Sequence, residues 1–370
     1  MKTVLSVIGT RPEAIKMAPV IQELQRHADR ARSVVCVTGQ HRQMLESALT
    51  LFEIRPDHDL ALMQPDQSLS GLTARLFSAL DPVVREVRPD WVLAQGDTTT
   101  VFVAAVVAFY NGVPFGHVEA GLRTGDRRRP FPEEINRRLA DAVADLYFAP
   151  TAGARQALLR EGVADDRILV TGNTVIDALL SVAGREFDWS TAGELAKIPR
   201  SGRLVLITAH RRESFGEPFR ELCLAIRDLA TRFAPEGVSF VYPVHLNPNV
   251  RKPVSEILAG HDNVHLVEPV DYLTIVQLMK RATLVLTDSG GIQEEAPSLK
   301  VPVLVMREKT ERPEGIAAGV VKLVGTARDA IVRESTRLLT DPVAHAAMAT
   351  GANPYGDGHA AERIVAALLA

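Results

Sequence analysis

The feature of this sequence that most constrains its fold is a regular alternation of short, β-branched hydrophobic runs with amphipathic stretches of helical periodicity. Runs that are apolar throughout indicate parallel strands covered by helices on both faces of a sheet. Strands are predicted in the first half of the chain at residues 4–8, 34–38, 90–94, 115–118, 146–149 and 168–170. Helices predicted at residues 12–26 and 98–110 fill two of the gaps, which indicates a doubly wound α/β domain.

The same alternation begins again after a break, which predicts a second α/β domain. Between residues 185 and 202 the strand pattern stops, and loop-forming residues replace it. Further strands are predicted at residues 204–208, 238–242, 264–267, 283–287 and 301–305, and a last helix at 355–369. We therefore expect two Rossmann-like domains facing a crevice, at residues 1–170 and 171–354, with ligands bound after the strands.

Charge and hydropathy exclude several classes of function. The chain of 370 residues has 42 Lys and Arg against 45 Asp and Glu, so it lacks the positive field that gathers nucleic acid. Its longest apolar run, residues 101–110, is about half as long as a membrane helix, and its start lacks a signal-peptide core. Cys36 and Cys223 are far apart and indicate buried thiols. We expect a cytoplasmic protein with neither nucleic acid nor membrane as partner.

Polar motifs follow the strands of the first domain. The first strand ends in Gly9 and Arg11 and leads into a helix, an arrangement suited to an anion such as phosphate. A plain turn with a surface arginine explains the same residues. Neither GxGxxG nor GxxxxGK[ST] occurs, so the sequence has neither a dinucleotide fingerprint nor a Walker loop.

Three carboxylates are the candidate acid and base groups of the first domain. Asp97 and Glu119 follow two strands, and Glu133 opens a helix. Helix capping and the helix dipole explain each of them singly, but together they fall at one edge of one sheet. Carboxylates gathered in one site can acquire different pKa values and act as acid and base. The His and Asp residues have no compact ligand spacing, so no metal site is predicted.

The second domain has the features of a nucleotide diphosphate site. His210 follows a strand beside two arginines and is able to neutralise or protonate a leaving phosphate, although a surface charge cluster has the same pattern. Ser289 and two glycines begin a helix that presents backbone N–H groups to an anion. Glu295 is placed to accept hydrogen bonds from ribose hydroxyls, and Arg312 adds a cation.

Six motifs, in order, resemble those of the non-hydrolysing UDP-N-acetylglucosamine 2-epimerases. They are GTRPEAIK at 9–16, QGDT at 95–98, HVEAGLR at 117–123, PEE at 132–134, HRRE at 210–213 and DSGGIQEE at 288–295. The resemblance implies a GT-B-like fold with a terminal helix at 355–370 that returns to the first domain, and a homodimer. It also implies interconversion of UDP-GlcNAc and UDP-ManNAc for polysaccharide biosynthesis, without redox cofactor or metal. UDP leaves by anti elimination, and 2-acetamidoglucal is the intermediate.

The resemblance also implies roles for individual residues. The implied catalytic residues are Asp97, Glu119, Glu133 and His210. The implied substrate contacts are Arg11, Lys16, Ser289, Gly290, Gly291, Glu295 and Arg312. The segment at residues 38–44 resembles the lining of a second site at which UDP-GlcNAc activates some bacterial members. The residues implied there are Gln40, His41, Gln43, Arg212 and His245.

The sequence departs from the family pattern in two places, and other functions stay open. Arg127, Arg128 and Arg129 stand where the family has a less charged stretch, which suits a more acidic sugar, and Ile275 stands where an aromatic often packs on uracil. The alternatives are a 2-epimerase for a related UDP-sugar such as a diacetamido-uronate, a GT-B glycosyltransferase, and a non-catalytic UDP-sugar-binding regulator.

Overall fold

The strands form two separate sheets, one in each of two structural units. The computed structural model of the protein describes residues 1–39, 42–64 and 67–370. The first unit contains Met1–Ala178 and Tyr355–Ala370, and the second contains Leu179–Pro354. Every strand pairing described is parallel, so the predicted class of two Rossmann-like α/β domains is confirmed.

The first unit alternates strands and helices along the chain. Its strands are β1 (Lys2–Ile8), β2 (Ala31–Val37), β3 (His58–Asp59), β4 (Trp91–Gln95), β5 (Phe115–Val118), β6 (Leu146–Ala149) and β7 (Ile168–Val170). Its helices begin with α1 (Arg11–Arg26), α2 (Arg42–Leu51), α3 (Leu69–Val87), α4 (Thr99–Tyr110), α5 (Glu133–Val143), α6 (Ala152–Arg160) and α7 (Thr174–Ala183), the last of which crosses into the second unit.

The second unit repeats this arrangement. Its strands are β8 (Leu204–Thr208), β9 (Ser239–Pro243), β10 (Val264–Val267), β11 (Leu284–Thr287), β12 (Val303–Val305) and β13 (Val321–Leu323). Its helices are α8 (Glu217–Phe233), α9 (Pro248–Leu258), α10 (Tyr272–Arg281), α11 (Gly290–Glu295), α12 (Pro313–Ala317), α13 (Arg328–Thr340) and α14 (Pro342–Ala349). The last helix of the chain, α15 (Ala360–Leu369), belongs to the first unit.

Strand order locates the ligand-binding edge of each sheet. The first sheet has the order β3-β2-β1-β4-β5-β6-β7, and the second has β10-β9-β8-β11-β12-β13. The order reverses between β1 and β4 in the first unit and between β8 and β11 in the second. In open parallel sheets, ligands bind outside the carboxyl ends of the strands at this switch point. The loops after these four strands are therefore the candidate functional regions.

Local sequence explains how α1 begins beside the first switch point. Thr10 caps the helix, and its Oγ1 accepts a hydrogen bond from the Glu13 N–H, while the Glu13 carboxylate accepts one from the Thr10 N–H. Pro12 suits the first turn because that turn has no use for its missing N–H. The chain thus passes from β1 into α1 within two residues, so Arg11 lies at the sheet edge.

Each unit buries its own core on both faces of its sheet. The first core combines strand residues such as Leu5 and Val92 with Leu76 of α3 and Val103 of α4. The apolar α4 packs against α3 and α5 and is buried except at its end, where Phe109 and Tyr110 are exposed. The second core is built from residues that include Val205, Ile207, Phe219, Phe233, Leu284, Leu286 and Leu304.

Hydrogen bonds join the C-terminal residues, which include α15, to residues 1–178 of the first unit. The Lys2 ammonium donates to the Leu368 carbonyl at 2.9 Å, and Asp177 accepts from the Ala361 N–H at 2.8 Å. The Asn173 N–H donates to the Tyr355 carbonyl at 2.7 Å. The bonds of Asn173 and Asp177 join residues 171–178 to the C-terminal residues, and the first unit extends to Ala178, beyond the predicted residue 170.

The structure also contains elements that the sequence patterns did not indicate. Strand β3 has only two residues, and β13 has a lysine between its two apolar residues, so neither forms a continuous hydrophobic run. Helix α15 begins at Ala360 and not at residue 355, because Gly356 and Gly358 have positive φ values that end regular structure before it. None of the helices in the described ranges has the length and hydropathy that a membrane span requires.

We expect Gly121→Ala to destabilise the first unit much more than Gly112→Ala. Both glycines have positive φ, 86° and 66°, which costs an L-residue about 1 kcal/mol. A Cβ at Gly121 would also lie 2.5 Å from the Ala154 carbonyl oxygen, whereas at Gly112 it would meet nothing within 4 Å. Overpacking adds about 1–3 kcal/mol. Urea unfolding of the two variants measures the difference, and equal midpoints would contradict the close packing at Gly121.

Candidate functional site

The switch point of the first sheet brings Arg11 and Asp97 to the same edge. Arg11 follows β1, and Asp97 follows β4, which pairs with β1 in parallel. Strand β5 lies on the other side of β4 in the register Gln95↔Val118, so Glu119 reaches this edge too. The predicted convergence of Asp97 and Glu119 is therefore a property of the strand order.

Asp97 is held by helix α5, which lies far from it in sequence. Its Oδ2 accepts a hydrogen bond from Arg137, and its backbone carbonyl accepts one from Asn136 Nδ2 at 3.0 Å. Both partners are buried, whereas the Asp97 side chain is 28% exposed. The carboxylate thus has a fixed direction and an exposed portion that a ligand can approach.

Glu119 combines an unusual backbone with a cationic partner. Its φ is 66°, in the left-handed region that glutamate rarely adopts, and the cost is of order 1–3 kcal/mol. Its N–H and that of Ala120 both donate to the Phe148 carbonyl, at 3.0 and 3.2 Å. The Lys16 ammonium makes an ion pair with its Oε2. Backbone strain of this kind persists where surrounding structure fixes a functional side chain, and Lys16 links Glu119 to α1.

The adjacent residues Glu133 and Glu134 have different environments. Glu134 is 1% exposed and accepts hydrogen bonds from the N–H groups of Thr124 and Gly125, so it fixes the loop before α5. Glu133 lies one helical turn before Arg137 and so on the same face of α5. Its Oε2 is buried and has no hydrogen-bond partner among the described residues. Glu134 also pairs with Arg137 at 3.5 Å, so of the two acids Glu133 is the one that keeps a buried oxygen outside the described hydrogen bonds.

Glu13 is a further buried carboxyl at this edge, and the sequence patterns did not single it out. It accepts hydrogen bonds from the Gly9 and Thr10 N–H groups and from Thr98 Oγ1, the last at 2.5 Å. Burial raises the pKa of Glu13 to about 7, although these three hydrogen bonds lower it. Glu13 therefore ties the turn after β1 to the residue that follows Asp97.

In the second unit, Asp288 ties together the two loops at the switch point. Its Oδ2 accepts hydrogen bonds from the N–H groups of His210 and Arg211, both at 2.7 Å, and its side chain is fully buried. His210 and Arg211 follow β8, and Asp288 follows β11, the neighbouring strand. The predicted residues His210 and Ser289 are consequently at one edge of the second sheet.

The environment of His210 favours the neutral form of its imidazole ring. Burial lowers the pKa of His210, and the nearby His245 and Arg211 add to this, while Asp288 opposes it. The rings of His210 and His245 stack with centroids 5.3 Å apart and planes 11° apart. His210 is therefore neutral near pH 7, and an arriving anion would favour its protonated form.

Two guanidinium groups stand beside the glycines after β11. A Cβ added to Gly290 would lie 3.7 Å from Arg211 Nη2 and 3.8 Å from Arg312 Cζ, so the backbone there is flanked by two cations. The Arg312 Nε donates to Glu294, which fixes its direction. Arg312 is one of the predicted substrate contacts, whereas Arg212 was predicted only for the activator site and Arg211 was noted only as a neighbour of His210. The structure exposes Arg212 and turns the Arg211 guanidinium toward Gly290.

Glu295 is oriented by a tyrosine. Tyr272 Oη donates to Glu295 Oε2 at 2.9 Å, and both residues are buried. A Cβ at Gly291 would lie 3.3 Å from Glu295 Oε1, so a residue without a side chain leaves room for that oxygen. The carboxylate thus lies beside the Ser289 to Gly291 turn, and Tyr272 is a positioning residue that sequence analysis missed.

The predicted activator segment is only partly described. Gln40 and His41 lie outside the described residues, and so does the side chain of Gln43. His245 is exposed, and its Nδ1 accepts from the Asn247 N–H at 3.1 Å. The activator site therefore stays a prediction from sequence.

The remaining sequence features fall outside these clusters. Arg127, Arg128 and Arg129 are exposed, and Ile275 is half-buried. Across residues 1–39, 42–64 and 67–370, no three His, Cys, Asp or Glu side chains are grouped to hold a metal ion.

Comparison with known proteins gives a consistent result over the whole chain. The family model described as UDP-N-acetylglucosamine 2-epimerase matches residues 22–369. The chain is 54% identical to UDP-N-acetylglucosamine 2-epimerase of Escherichia coli K12, over 99% of this chain and 98% of that protein. It is similar to the crystal structure of UDP-GlcNAc 2-epimerase from Neisseria meningitidis bound to UDP-GlcNAc, with TM-score 0.91, 49% identity and 99% coverage of both chains. It is also similar to the Methanocaldococcus jannaschii enzyme in complex with UDP-GlcNAc and UDP, with TM-score 0.81, 32% identity and 99% coverage of both.

We expect Glu13→Gln to change the pH dependence of stability. The folded-state pKa of about 7 exceeds the ordinary 4.5, so the native protein favours protonated Glu13. Its contribution to stability is complete below pH 4.5 and is lost as pH rises through 7. Relative to Glu13→Gln, which has no proton to lose, the wild type should lose up to about 3 kcal/mol between pH 4.5 and 8. Urea unfolding of both proteins across this range tests it, and parallel curves would contradict the buried, protonated carboxyl.

Proposed function

Because the chain belongs to the UDP-N-acetylglucosamine 2-epimerase family, we propose that it interconverts UDP-GlcNAc and UDP-ManNAc. The observation that carries this proposal is the group of acids at one edge of the first sheet. Asp97 and Glu119 follow neighbouring strands, each with a cationic partner, and Glu133 begins α5, the helix whose Arg137 binds Asp97. Relatives that share this fold bind UDP-GlcNAc or UDP.

We propose elimination and re-addition as the course of the reaction. A carboxylate removes the C2 proton, the electron pair forms the C1–C2 double bond, and the C1–O bond breaks with departure of UDP. The products of this step are UDP and 2-acetamidoglucal. Return of a proton to the opposite face of C2 and of UDP to C1 gives the epimer. The reaction involves no net oxidation or reduction. Because a C–H bond and the C1–O bond break, it needs groups that transfer protons and groups that stabilise departing UDP.

The first unit supplies the proton-transfer groups in this proposal. Removal of a proton from one face of C2 and its return to the other require two acid–base groups that approach the sugar from different directions. Asp97 is oriented by Arg137 and Glu119 by Lys16, so the two carboxylates are fixed by different helices. Glu133 adds an oxygen without a hydrogen-bond partner in the described ranges. We assign the transfers to these three carboxylates as a group.

The second unit supplies the groups that receive UDP. UDP, the leaving group of the reaction, carries negative charge, and Arg211 and Arg312 beside Gly290 stabilise that charge. His210 is neutral before the reaction and can take up a proton as the phosphate charge develops. Glu295, held by Tyr272, is suited to accept hydrogen bonds from ribose hydroxyls.

Deuterium exchange separates this function from the alternatives. We expect incubation of the protein with UDP-GlcNAc in deuterium oxide to place deuterium at C2 of both UDP-sugars, as followed by NMR. Transfer of the sugar to an acceptor without exchange would identify a glycosyltransferase, and binding without either reaction would identify a regulator. Exchange only with an acidic UDP-sugar would identify a related epimerase, for which the exposed Arg127 to Arg129 stretch provides a cationic surface.

Amide substitutions test the carboxylates. Asp97→Asn, Glu119→Gln and Glu133→Gln keep side-chain shape but abolish proton transfer, so kcat should fall about 100-fold or more in each. Asp166→Asn, an exposed acid of the same unit, is the matched control and should leave kcat unchanged. Circular dichroism checks the fold. Near wild-type kcat in all three amide variants would refute the acid–base assignment.

His210→Asn tests the group assigned to the departing UDP. We expect kcat to decrease more than KM increases, with a loss on the order of 3 kcal/mol in transition-state stabilisation. Free UDP and 2-acetamidoglucal should accumulate, because a weakly held intermediate escapes. Steady-state kinetics and product analysis by chromatography provide the measurements, with His261→Asn as the control. A change in KM alone would assign His210 to ground-state binding.

A further inference from the structure

His117 is a buried titratable group of the first unit that the proposed reaction does not use. His117 lies within β5, its side chain is fully buried, and both ring nitrogens have hydrogen-bond partners. Nδ1 lies 2.6 Å from Asp141 Oδ1, and Nε2 lies 2.8 Å from the Gly96 carbonyl oxygen. A carbonyl oxygen only accepts hydrogen bonds, so Nε2 carries a proton.

Asp141 determines the state of the other ring nitrogen. Its second oxygen, Oδ2, accepts a hydrogen bond from Arg123 Nη2 at 2.7 Å, and Tyr147 Oη donates to its backbone carbonyl. Although burial raises the pKa of Asp141, His117 and Arg123 lower it further, so it is ionised. An ionised carboxylate only accepts, so Nδ1 also carries a proton and the ring of His117 is an imidazolium.

His117 belongs to a network of ion pairs, which allows a buried cation. Arg123 donates to Asp141 at 2.7 Å and to Glu161 at 2.9 and 2.7 Å, and Arg138 lies 3.6 Å from Glu161 at the exposed end of the network. Burial alone lowers the pKa of His117, but Asp141 and the bond to Gly96 raise it more, and the result lies above the ordinary value. A paired, fully hydrogen-bonded charge avoids most of the cost of an isolated one.

The hydrogen bond to Gly96 connects this cluster to Asp97. Gly96 has φ 89°, its N–H donates to the Val118 carbonyl, and its own carbonyl receives the His117 proton. The turn before Asp97 is thus held through both backbone polar groups of Gly96, its N–H and its carbonyl. Bonds with a charged donor are about twice as strong as neutral ones, and without this donor a buried carbonyl would be unsatisfied.

We propose that His117 is a positioning residue. Asp141 holds it as an imidazolium, and the hydrogen bond from His117 to Gly96 directs the Asp97 carboxylate toward the sugar. The proposal rests on the proposed role of Asp97 in proton transfer. His117 does not touch the substrate. It acts through the Gly96–Asp97 turn, while Arg137 fixes the same carboxylate from the opposite end.

Two substitutions separate this role from a general contribution to folding. His117→Gln places an amide N–H near the position of Nε2 and keeps the bond to Gly96. His117→Asn places its amide near Nδ1 and keeps only the bond to Asp141. We expect His117→Asn to lower kcat about 10- to 100-fold with little change in KM and an increased isotope effect for substrate deuterated at C2, whereas His117→Gln recovers most of kcat.

Stability and charge are measured beside the kinetics. Urea midpoints show whether kcat follows the loss of stability. Equal kcat values in the two variants, or kcat that follows stability, would overturn the positioning role. The imidazolium is tested in the wild type, which needs no variant to fold. NMR of 15N-histidine protein should show one ring, identified by slowly exchanging N–H protons, with both nitrogens protonated from pH 6 to 9. A singly protonated ring in that position would overturn the proposal.

Exchange at C2 by the wild type is measured first. Its absence would count against the proposed function, whereas normal exchange in the wild type with equal His117→Gln and His117→Asn kinetics would count against the positioning role alone.

Discussion

The loops at the switch points depend on buried carboxyl groups that bond backbone N–H groups. At the end of a parallel strand, the chain leaves the sheet and its next N–H groups lose their ladder partners. Glu13 accepts from Gly9 and Thr10 in the first unit, and Asp288 accepts from His210 and Arg211 in the second. The two carboxyls come from different positions in their units but satisfy the same need. Each leaves the neighbouring cationic side chain, Arg11 or Arg211, at the sheet edge.

Acidic residues that are adjacent in sequence have different partners and different roles. Glu134 is buried and bonds backbone groups, while Glu133 keeps an oxygen without a partner among the described residues. Arg312 bonds Glu294, while Glu295 bonds Tyr272. In the first pair Glu134 holds the loop and Glu133 presents an oxygen, whereas in the second pair Glu294 orients Arg312 and Glu295 is itself the proposed ribose contact. Helical periodicity produces this division because consecutive residues point about 100° apart.

Much of the site could be predicted because its signals are local. Gly9, Gly96 and the Gly290–Gly291 pair mark turns after hydrophobic runs, and the acids and cations beside them stand at strand ends by sequence position alone. The partners that orient them could not be predicted in this way. Arg137 is 40 positions from Asp97, Lys16 is 103 from Glu119, and Asp141 is 24 from His117. No periodic pattern links residues at such separations, which are set by strand order and helix packing.

The sequence by itself determined the two α/β units, the strands with clear hydrophobic runs and the residues at the strand ends, since these depend on periodicity and on turn-forming residues within a few positions. Tertiary structure decided which strand neighbours which, and so which side chains meet. It also decided the strained φ of Glu119 and the raised pKa values of Glu13 and His117. These properties arise from desolvation and from pairing between distant segments, and both exist only once the chain has folded.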